Sequence, residues 1–401
     1  MKNFFKNIGP GPLVAAAFIG PGTVTVCTIA GAQFGFSLLW AMVLSVGATI
    51  VFQEMTARLG LVSQRGLAEV VTSQIQSPFF KYVVIILVIS AIVVGNAAYE
   101  GGNISGGVLG LETLCGASKT TFSILIGVIA FVLLYLGNYK VIERALVFLV
   151  ILMSLAFLTT AIMTKPNISE IFKGAFLPRF PEGSMLLIVG LIGTTVVPYN
   201  LFLHASLVRE KWHTIDDLKY ARKDTFIAIA LGGVVSMSII VCGAAIQNLE
   251  VKDAADLALG LEPLFGSFSK YFLAIGLFSA GITSAITAPL AAAYVASGCF
   301  GWNTNLKSVK FRGVWMLILI LGVVIASSGY KPIQIIKFAQ VANGILLPII
   351  SGLLLWIMNR KALLGVHRNS VVNNILGGCI VLVSLLLALA GINKVFNFGL
   401  F

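Results

Sequence analysis

Long apolar runs recur from one end of this chain to the other, and they constrain its fold more than any other feature. Runs of about 18 to 25 residues, the length a helix needs to cross a bilayer, are separated only by short polar stretches. The sequence is 58% hydrophobic and 10% charged, so it lacks the polar side chains that would cover a soluble domain of this size. We therefore expect an all-α integral membrane protein embedded in a lipid bilayer.

Glycine, proline and charge clusters divide the apolar runs into 11 predicted membrane-spanning helices, with edges uncertain by a few residues. The predicted spans are 10–34, 37–59, 80–109, 119–138, 143–164, 184–208, 224–247, 264–298, 312–328, 335–358 and 371–391.

The excess of basic residues fits a membrane protein whose N-terminus is cytoplasmic. With Lys2 and Lys6 placed inside, about 18 of the 27 lysines and arginines fall on the cytoplasmic side, as the positive-inside rule expects. The net charge of +12 therefore reports topology, and we expect the bacterial plasma membrane as the location. We expect no nucleic-acid partner, because no basic patch is interleaved with aromatic residues.

The sequence carries no motif typical of an enzyme. The five cysteines are scattered, mostly inside apolar runs, without the paired spacing of a disulfide framework or a metal knuckle. The spans contain no nucleophile–base motif and no HExxH-like metal pair. We expect a monomer that is not an enzyme and needs no cofactor.

Two of the predicted spans are interrupted by helix-breaking residues. The first span contains Gly-Pro-Gly-Thr at 20–23, and the sixth contains GTTVVPYN at 193–200, with Pro198 among threonines. Proline removes a backbone donor and glycine tolerates unusual dihedrals, so both stretches are candidates for unwound backbone. At membrane depth such backbone is tolerated only where protein or a water-filled cavity satisfies its polar groups.

The two breaks lie five helices apart, which predicts an inverted repeat of five plus five helices with a binding site at the midplane. An ordinary proline kink explains either break alone, whereas the matched pair favours a site. We expect one transmembrane domain over 1–401, with repeats at about 10–164 and 184–358 and an extra helix at about 371–391.

Glu100 is the one carboxylate deep within a predicted span. Asn96, Glu100 and Asn103 are spaced at i, i+4 and i+7, so they form one polar stripe on the third helix. A carboxylate inside a membrane is costly unless it is paired, hydrated or protonated. Glu100 is therefore either a proton-coupling residue or a structural carboxylate held by a neighbouring helix. His204, in the second half of the sixth span, is either a proton relay or a helix-packing donor.

Five stretches of the chain carry a family resemblance when they are taken together. They are AGAQFGFSLLW (30–40), ARLGLVSQRGLAE (57–69), ERALVFLVILMSLAFL (143–158), VVPYNLFLHASLV (196–208) and AGITSAITAP (280–289). In order and spacing they resemble the Nramp family of proton-coupled divalent-metal transporters, over nearly the whole chain. The resemblance implies a LeuT-like fold of eleven or twelve helices, alternating access, and a midplane site between unwound helices 1 and 6.

The sequence departs from the family pattern at the site itself. The family's Asp-Pro-Gly-Asn in the first break is Gly-Pro-Gly-Thr at 20–23 here. Its Met-Pro-His in the sixth span is Val-Pro-Tyr at 197–199, while the second histidine is kept as His204. On helix ten Gln340 is retained, and the paired acids expected on helix three are reduced to Glu100.

These departures weaken the site for a stripped transition metal. Thioether sulfur favours soft metal ions, so its loss removes discrimination against calcium and magnesium. A divalent ion also needs negative charge nearby, whereas a hydrated hard cation keeps several waters and needs less of it. The resemblance implies a substrate site of Gly20, Pro21, Gly22, Thr23, Thr195, Val197, Tyr199, Asn200 and Gln340, with proton coupling by Glu100 and His204 and metal ligands drawn from Thr23, Asn200 and Glu100.

Two transport functions stay open at this point. One is proton-coupled movement of a divalent metal cation, either a hard ion such as Mg²⁺ or Mn²⁺ with reduced selectivity. The other keeps the fold and moves a small organic solute, an amino acid or a carboxylate. Free amides at a half-helix N-terminus can hold the carboxylate of such a solute. With glycine at position 20 instead of aspartate, no negative charge there repels this anion. A non-transporting sensor is disfavoured, because the chain carries no soluble domain to relay a signal.

Overall fold

The computed structural model describes residues 10, 19–115, 118–137, 140–246 and 251–396, and within these ranges the chain is helical without any β-strand. In chain order the helices are α1 (Pro21–Phe34), α2 (Leu39–Ser63), α3 (Leu67–Ser73), α4 (Pro78–Cys115), α5 (Lys119–Leu136), α6 (Lys140–Met163), α7 (Ile168–Phe176), α8 (Met185–Thr195), α9 (Pro198–Lys211), α10 (Leu218–Ala244), α11 (Ala254–Ala258), α12 (Glu262–Phe265), α13 (Ser269–Phe300), α14 (Val309–Ala326), α15 (Pro332–Met358), α16 (Lys361–Leu364) and α17 (Val371–Phe396).

The predicted spans after the first coincide with these helices. Over the described residues, nine helical segments are long and apolar enough to cross a membrane, and the bent pair α6 and α7, at 119°, makes a tenth. The sixth span is the pair α8 and α9, which together form one crossing over Met185–Lys211. Of the first predicted span, α1 is the described part, and 11–18 lie outside the described residues.

The second half of helix α4 is buried among its neighbours because small residues let them approach closely. A methyl group on Gly106 would lie 2.0 Å from the Cβ of Pro21, at the start of α1. A methyl group on Gly281 of α13 would lie 2.7 Å from the Cα of Gly107. Close backbone approach through small residues is a common way for membrane helices to associate, and here it brings α4 against the first break.

A buried ion-pair network joins helix ends at one end of the bundle. The Arg58 guanidinium, 2% exposed, donates to both carboxylate oxygens of Glu54 at 3.1 and 2.9 Å. It also donates to the His367 carbonyl at 2.6 Å and to Asn369 Oδ1 at 2.8 Å, while Arg222 donates to Glu54 at 2.8 Å. The end of α2, the start of α10 and the segment before α17 therefore meet at this end of the bundle. Which side of the membrane is cytoplasmic stays a prediction.

Candidate functional site between the two helix breaks

The first break is the start of helix α1. Gly20 has an extended backbone, with φ of −108° and ψ of −173°, and Pro21 follows as the first helical residue. Proline is favoured at this position because the first amide of a helix has no intrahelical acceptor to bond. The amide of Val24 donates to the Gly20 carbonyl at 3.2 Å. The N-terminus of α1, with its partial positive charge, therefore lies at the break.

The second break also leads into a helix that begins with proline. Helix α8 ends at Thr195, Val196 and Val197 leave the helical conformation, and α9 begins at Pro198. The amide of Asn200 donates to the Val197 carbonyl at 3.0 Å. Because Pro198 has no amide hydrogen, it cannot donate to the helix before it. Two helices, α1 and α9, thus begin with proline inside the predicted membrane region.

The two breaks are in direct contact. The Thr23 and Thr194 hydroxyls form a buried hydrogen bond of 2.8 Å between their Oγ1 atoms. Gln340 of α15 lies against both breaks. A methyl group on Gly22 would be 2.2 Å from the side-chain Nε2 of Gln340, and a methyl group on Gly193 would be 1.9 Å from its backbone carbonyl oxygen. The stretches at 20–23 and 193–200 therefore meet in one place.

Several buried, uncharged hydrogen-bonding groups lie in the two breaks or against them. Asn200 is 1% exposed, and within the described ranges neither of its amide atoms has a hydrogen-bond partner. Gln340 Oε1 and the Ser284 hydroxyl also have no hydrogen-bond partner within the described ranges. The Ser284 hydroxyl lies close to the first break, 3.0 Å from where a methyl group on Gly20 would be. The part of the chain that the structure describes holds no cluster of three or more His, Cys, Asp or Glu side chains suited to a metal ion.

Glu100 is buried with the stem of its side chain against another helix. Its Cγ would be 2.3 Å from a methyl group on Gly322 of α14, so it fills the space that this glycine leaves. One carboxylate oxygen accepts from Asn103 Nδ2 at 3.4 Å, and the other has no partner among the residues described. Glu100 therefore lies where α4 packs against α14.

His204 connects α9 to α2. The Gln53 Oε1 atom lies 2.7 Å from its Nδ1, and since a carbonyl oxygen can only accept, the imidazole donates from Nδ1. In the neutral ring Nε2 is then an acceptor, and it lacks a partner over the described ranges. This geometry suits either the packing donor or the proton relay that the sequence predicts.

Other predicted site residues occupy different places. Thr195 donates to the Leu191 carbonyl at 3.0 Å and to Met42 Sδ at 3.5 Å, so its hydroxyl faces α2. Val197 is buried at the N-terminus of α9. The Tyr199 ring packs edge to face on Tyr99, with centroids 5.4 Å apart.

Three residues at this contact were absent from the predicted site, namely Thr194, Ser284 and Tyr99. Thr194 carried a signal in the sequence, because it lies in the same Gly-Thr-Thr stretch as Thr195.

A comparison with known families identifies the chain. A family model for natural resistance-associated macrophage protein-like sequences matches residues 11–394. The chain belongs to the Nramp family. The resemblance carried by the five sequence stretches is thereby confirmed.

Relatives of this Nramp-family chain are membrane transporters by name. The divalent metal cation transporter MntH of Verminephrobacter eiseniae is 27% identical over 377 residues, which are 90% of this chain and 83% of that protein. The expectation of an integral membrane protein that is not an enzyme is therefore confirmed.

Solved structures confirm the LeuT-like fold. A manganese transporter of Eremococcus coleocola superposes with a TM-score of 0.79 at 21% identity, covering 98% of this chain and 87% of that one. A nucleobase-cation-symport-1 family transporter solved with bromovinylhydantoin bound has a TM-score of 0.62 at 14% identity, covering 97% and 92% of the two chains.

We expect the Thr23–Thr194 hydrogen bond to couple the two breaks of this Nramp-family chain energetically. Thr23→Val leaves the buried Thr194 hydroxyl without this bond, which costs about 1–3 kcal/mol, and Thr194→Val removes the same bond from the other side. The double variant should cost less than the sum, with a coupling of at least about 0.5 kcal/mol. Unfolding of the detergent-solubilised variants measures this. Thr195→Val is the control, because its hydroxyl bonds Leu191 of its own helix and Met42 of α2 rather than the first break. Additive losses for Thr23 and Thr194 would contradict the expectation.

Proposed function

We propose that this chain is a secondary transporter that moves a divalent metal cation by alternating access, through a site between the two helix breaks. The observation that carries the proposal is the contact of the breaks through Thr23 and Thr194, 2.8 Å apart and buried. A substrate held there touches both α1 and α8, so movement of either helix alters its binding. Relatives such as MntH are named as divalent metal cation transporters, which supports a divalent metal cation as the substrate.

We further propose that the cation is hard and keeps part of its hydration shell, as Mg²⁺ does, or is Mn²⁺ bound with reduced selectivity. The available donors are hydroxyl and amide oxygens, including Thr23 and Asn200, with no thioether at Val197 and no carboxylate at Gly20. Oxygen donors suit hard cations, which retain several waters. The unpartnered amide of Asn200 can bond either the ion or one of its waters.

The remaining parts of the proposal concern coupling and assembly. Glu100 and His204 are proposed to exchange the coupling protons, since each is buried and each has an unpartnered atom over the described ranges. The chain is proposed to act as a monomer in the bacterial plasma membrane with a cytoplasmic N-terminus. Its two repeats are proposed to span 10–164 and 184–358, followed by an extra helix at 371–391.

Proteoliposomes test the transport proposal directly. We expect the purified protein to take up Mg²⁺ and Mn²⁺ into vesicles, and to do so faster when the side from which the ions enter is acidic. Vesicles without the protein should take up neither ion. Asn200→Ala is the site variant and should lower uptake of both ions. Absence of flux, together with absence of binding by calorimetry for both ions, would overturn the proposal.

We expect Glu100→Gln to remove the stimulation of uptake by a pH gradient while uptake without a gradient persists. Glutamine keeps the size of the side chain and its hydrogen bonding to Asn103 but cannot exchange a proton. The matched control is Glu112→Gln, which removes the other carboxylate of α4, near its last turn. If uptake by the Glu100→Gln variant still rises with the pH gradient as in the wild type, the role of Glu100 is structural.

A second candidate substrate is a small organic anion, because the two helices α1 and α9 both begin at the site. Helix N-termini carry partial positive charge and free amides that favour carboxylates. Gly20 contributes no opposing negative charge. A thermal-shift screen of amino acids and organic acids tests this candidate, and stabilisation by metal ions alone would eliminate it.

A further inference from the structure

The basic residues in the last third of the chain have no acidic counterparts. After Glu262 the sequence holds ten lysines and arginines and not one Asp or Glu. Elsewhere at the same end of the bundle, arginines are paired, with Arg58 and Arg222 both bonded to Glu54. A stretch of one charge sign beside a bilayer attracts anions of the opposite sign.

Three of these residues surround the first turn of α14 and form what we name the α14 basic cluster, namely Lys307, Lys310 and Arg312. Lys307 and Lys310 are exposed, and Arg312 is half-buried. No ion pair found within the described ranges involves any of the three. Their positive charges therefore stand uncompensated by a described carboxylate.

Aromatic side chains hold two members of this cluster in place. The Lys310 Nζ lies 5.3 Å from the centre of the Trp302 ring, and the Arg312 guanidinium lies 4.2 Å from the centre of the Tyr135 ring. Arg312 also donates to the Tyr135 carbonyl at 3.2 Å, while its Nε has no partner among the described residues. These contacts hold Arg312 against α5 and Lys310 against the loop that follows α13, both beside the first turn of α14.

The backbone adds donors at the same place. Ser308 caps α14 by accepting from the Phe311 amide, which leaves the amides of Val309 and Lys310 among those without an intrahelical acceptor. The Val309 side chain is 86% exposed, an unusual place for an apolar group unless lipid covers it. Tryptophan and tyrosine beside basic residues are typical of the membrane interface.

A lipid-facing strip continues from this cluster along α14. Leu317, Ile320 and Val324 are exposed apolar side chains spaced at i, i+3 and i+7, so they share one face of the helix. The neighbouring α5 also carries exposed apolar side chains, such as Val128 and Phe131. A molecule with an anionic head at the α14 N-terminus can thus lay an apolar tail along this strip.

We propose that the α14 basic cluster binds the headgroup of an anionic phospholipid in the leaflet at this end of the bundle. The headgroup phosphate lies at the N-terminus of α14 between Lys310 and Arg312, and an acyl chain follows the strip of Leu317, Ile320 and Val324. This site is separate from the contact of the two helix breaks, and the inference does not depend on the transported substrate.

Thermal unfolding of the full chain in detergent, with added lipid, tests the proposal. Phosphatidylglycerol is expected to raise the Tm of the wild type, and phosphatidylcholine and inorganic phosphate are not. The Lys310→Gln/Arg312→Gln variant should need about 30-fold more phosphatidylglycerol for the same shift, since each basic residue near anionic lipid contributes about 1 kcal/mol. Lys270→Gln is the matched control, because Lys270 also lies in the first turn of a helix, α13, with its Nζ 4.9 Å from the Tyr271 ring centre.

Each result then decides the proposal. A loss of the lipid shift in the double variant with its retention in Lys270→Gln supports it. The proposal is overturned if the Tm of the wild type and of the double variant depend equally on phosphatidylglycerol. It is also overturned if inorganic phosphate raises the Tm of the wild type as much as phosphatidylglycerol does. If the double variant does not fold, Lys307→Gln/Lys310→Gln replaces it, because both side chains are exposed and Arg312 keeps its bond to Tyr135.

Discussion

Gly20→Asp is expected to tighten manganese binding at least about tenfold, a gain of about 1.4 kcal/mol. An aspartate there places a negative charge at the start of α1, beside the Thr23–Thr194 contact. Opposite charges in direct contact attract strongly where water is excluded, so even after desolvation of the carboxylate a net gain remains. The new carboxylate also restores the residue type that the Nramp pattern has at this position.

The backbone and its neighbours allow this substitution. Gly20 has a φ of −108°, in the extended region that any residue adopts, so no left-handed conformation is lost. A Cβ at this position lies 3.0 Å from the Ser284 hydroxyl, which a small rotation of that side chain relieves. Aspartate is also a favoured residue at a helix N-cap, so α1 should keep its starting point.

Calorimetric titration of Mn²⁺ and Mg²⁺ into the purified variants measures the effect. The matched control is Gly20→Asn, which has nearly the same size and no charge. Equal Mn²⁺ affinity of Gly20→Asp and Gly20→Asn would show that a negative charge at position 20 does not interact with the bound ion. If the organic-anion candidate is correct instead, Gly20→Asp should weaken the binding of that anion, so the two candidates predict opposite outcomes.

The helical spans were predictable because membrane crossing demands a long apolar run, which hydropathy detects directly. The helix ends were less so. The apolar run of the third span ends near residue 109, yet α4 continues to Cys115 through Glu112. Hydropathy marks the part of a helix that is buried in lipid, whereas the helix itself ends where its backbone hydrogen bonding ends.

At the site, proline and glycine predicted where the helices restart, and they did not predict which side chains meet. Thr194 faces Thr23, whereas its neighbour Thr195 faces α2. One residue along a helix rotates a side chain by about 100°, so the facing residue depends on helix phase, which the pattern of a short break leaves open. The packing of Glu100 on Gly322 joins two helices far apart in sequence, and no local pattern encodes such a contact.

Gly193→Ala is expected to be the most destabilising single methyl group that can be added near the site. The added Cβ would lie 1.9 Å from the Gln340 carbonyl oxygen and 2.6 Å from the Gly344 amide nitrogen. Both are backbone atoms, so no side-chain rotation relieves the contact, and α8 must separate from α15. Overpacking of this kind costs about 1–3 kcal/mol, and we expect a loss at the upper end of that range.

The same displacement should abolish transport, because it moves Gln340 away from Gly22 and opens the contact between the breaks. Gly190→Ala, one turn earlier on α8, is the control, since its Cβ would meet only ordinary contacts, 3.5 Å from Val26 Cγ1. That variant should be neutral or gain up to about 1 kcal/mol from the better helix propensity of alanine. Thermal unfolding and uptake measured on both variants separate close packing from helix propensity. Equal stability of the two variants would mean that α8 and α15 are not held together by backbone contact at Gly193.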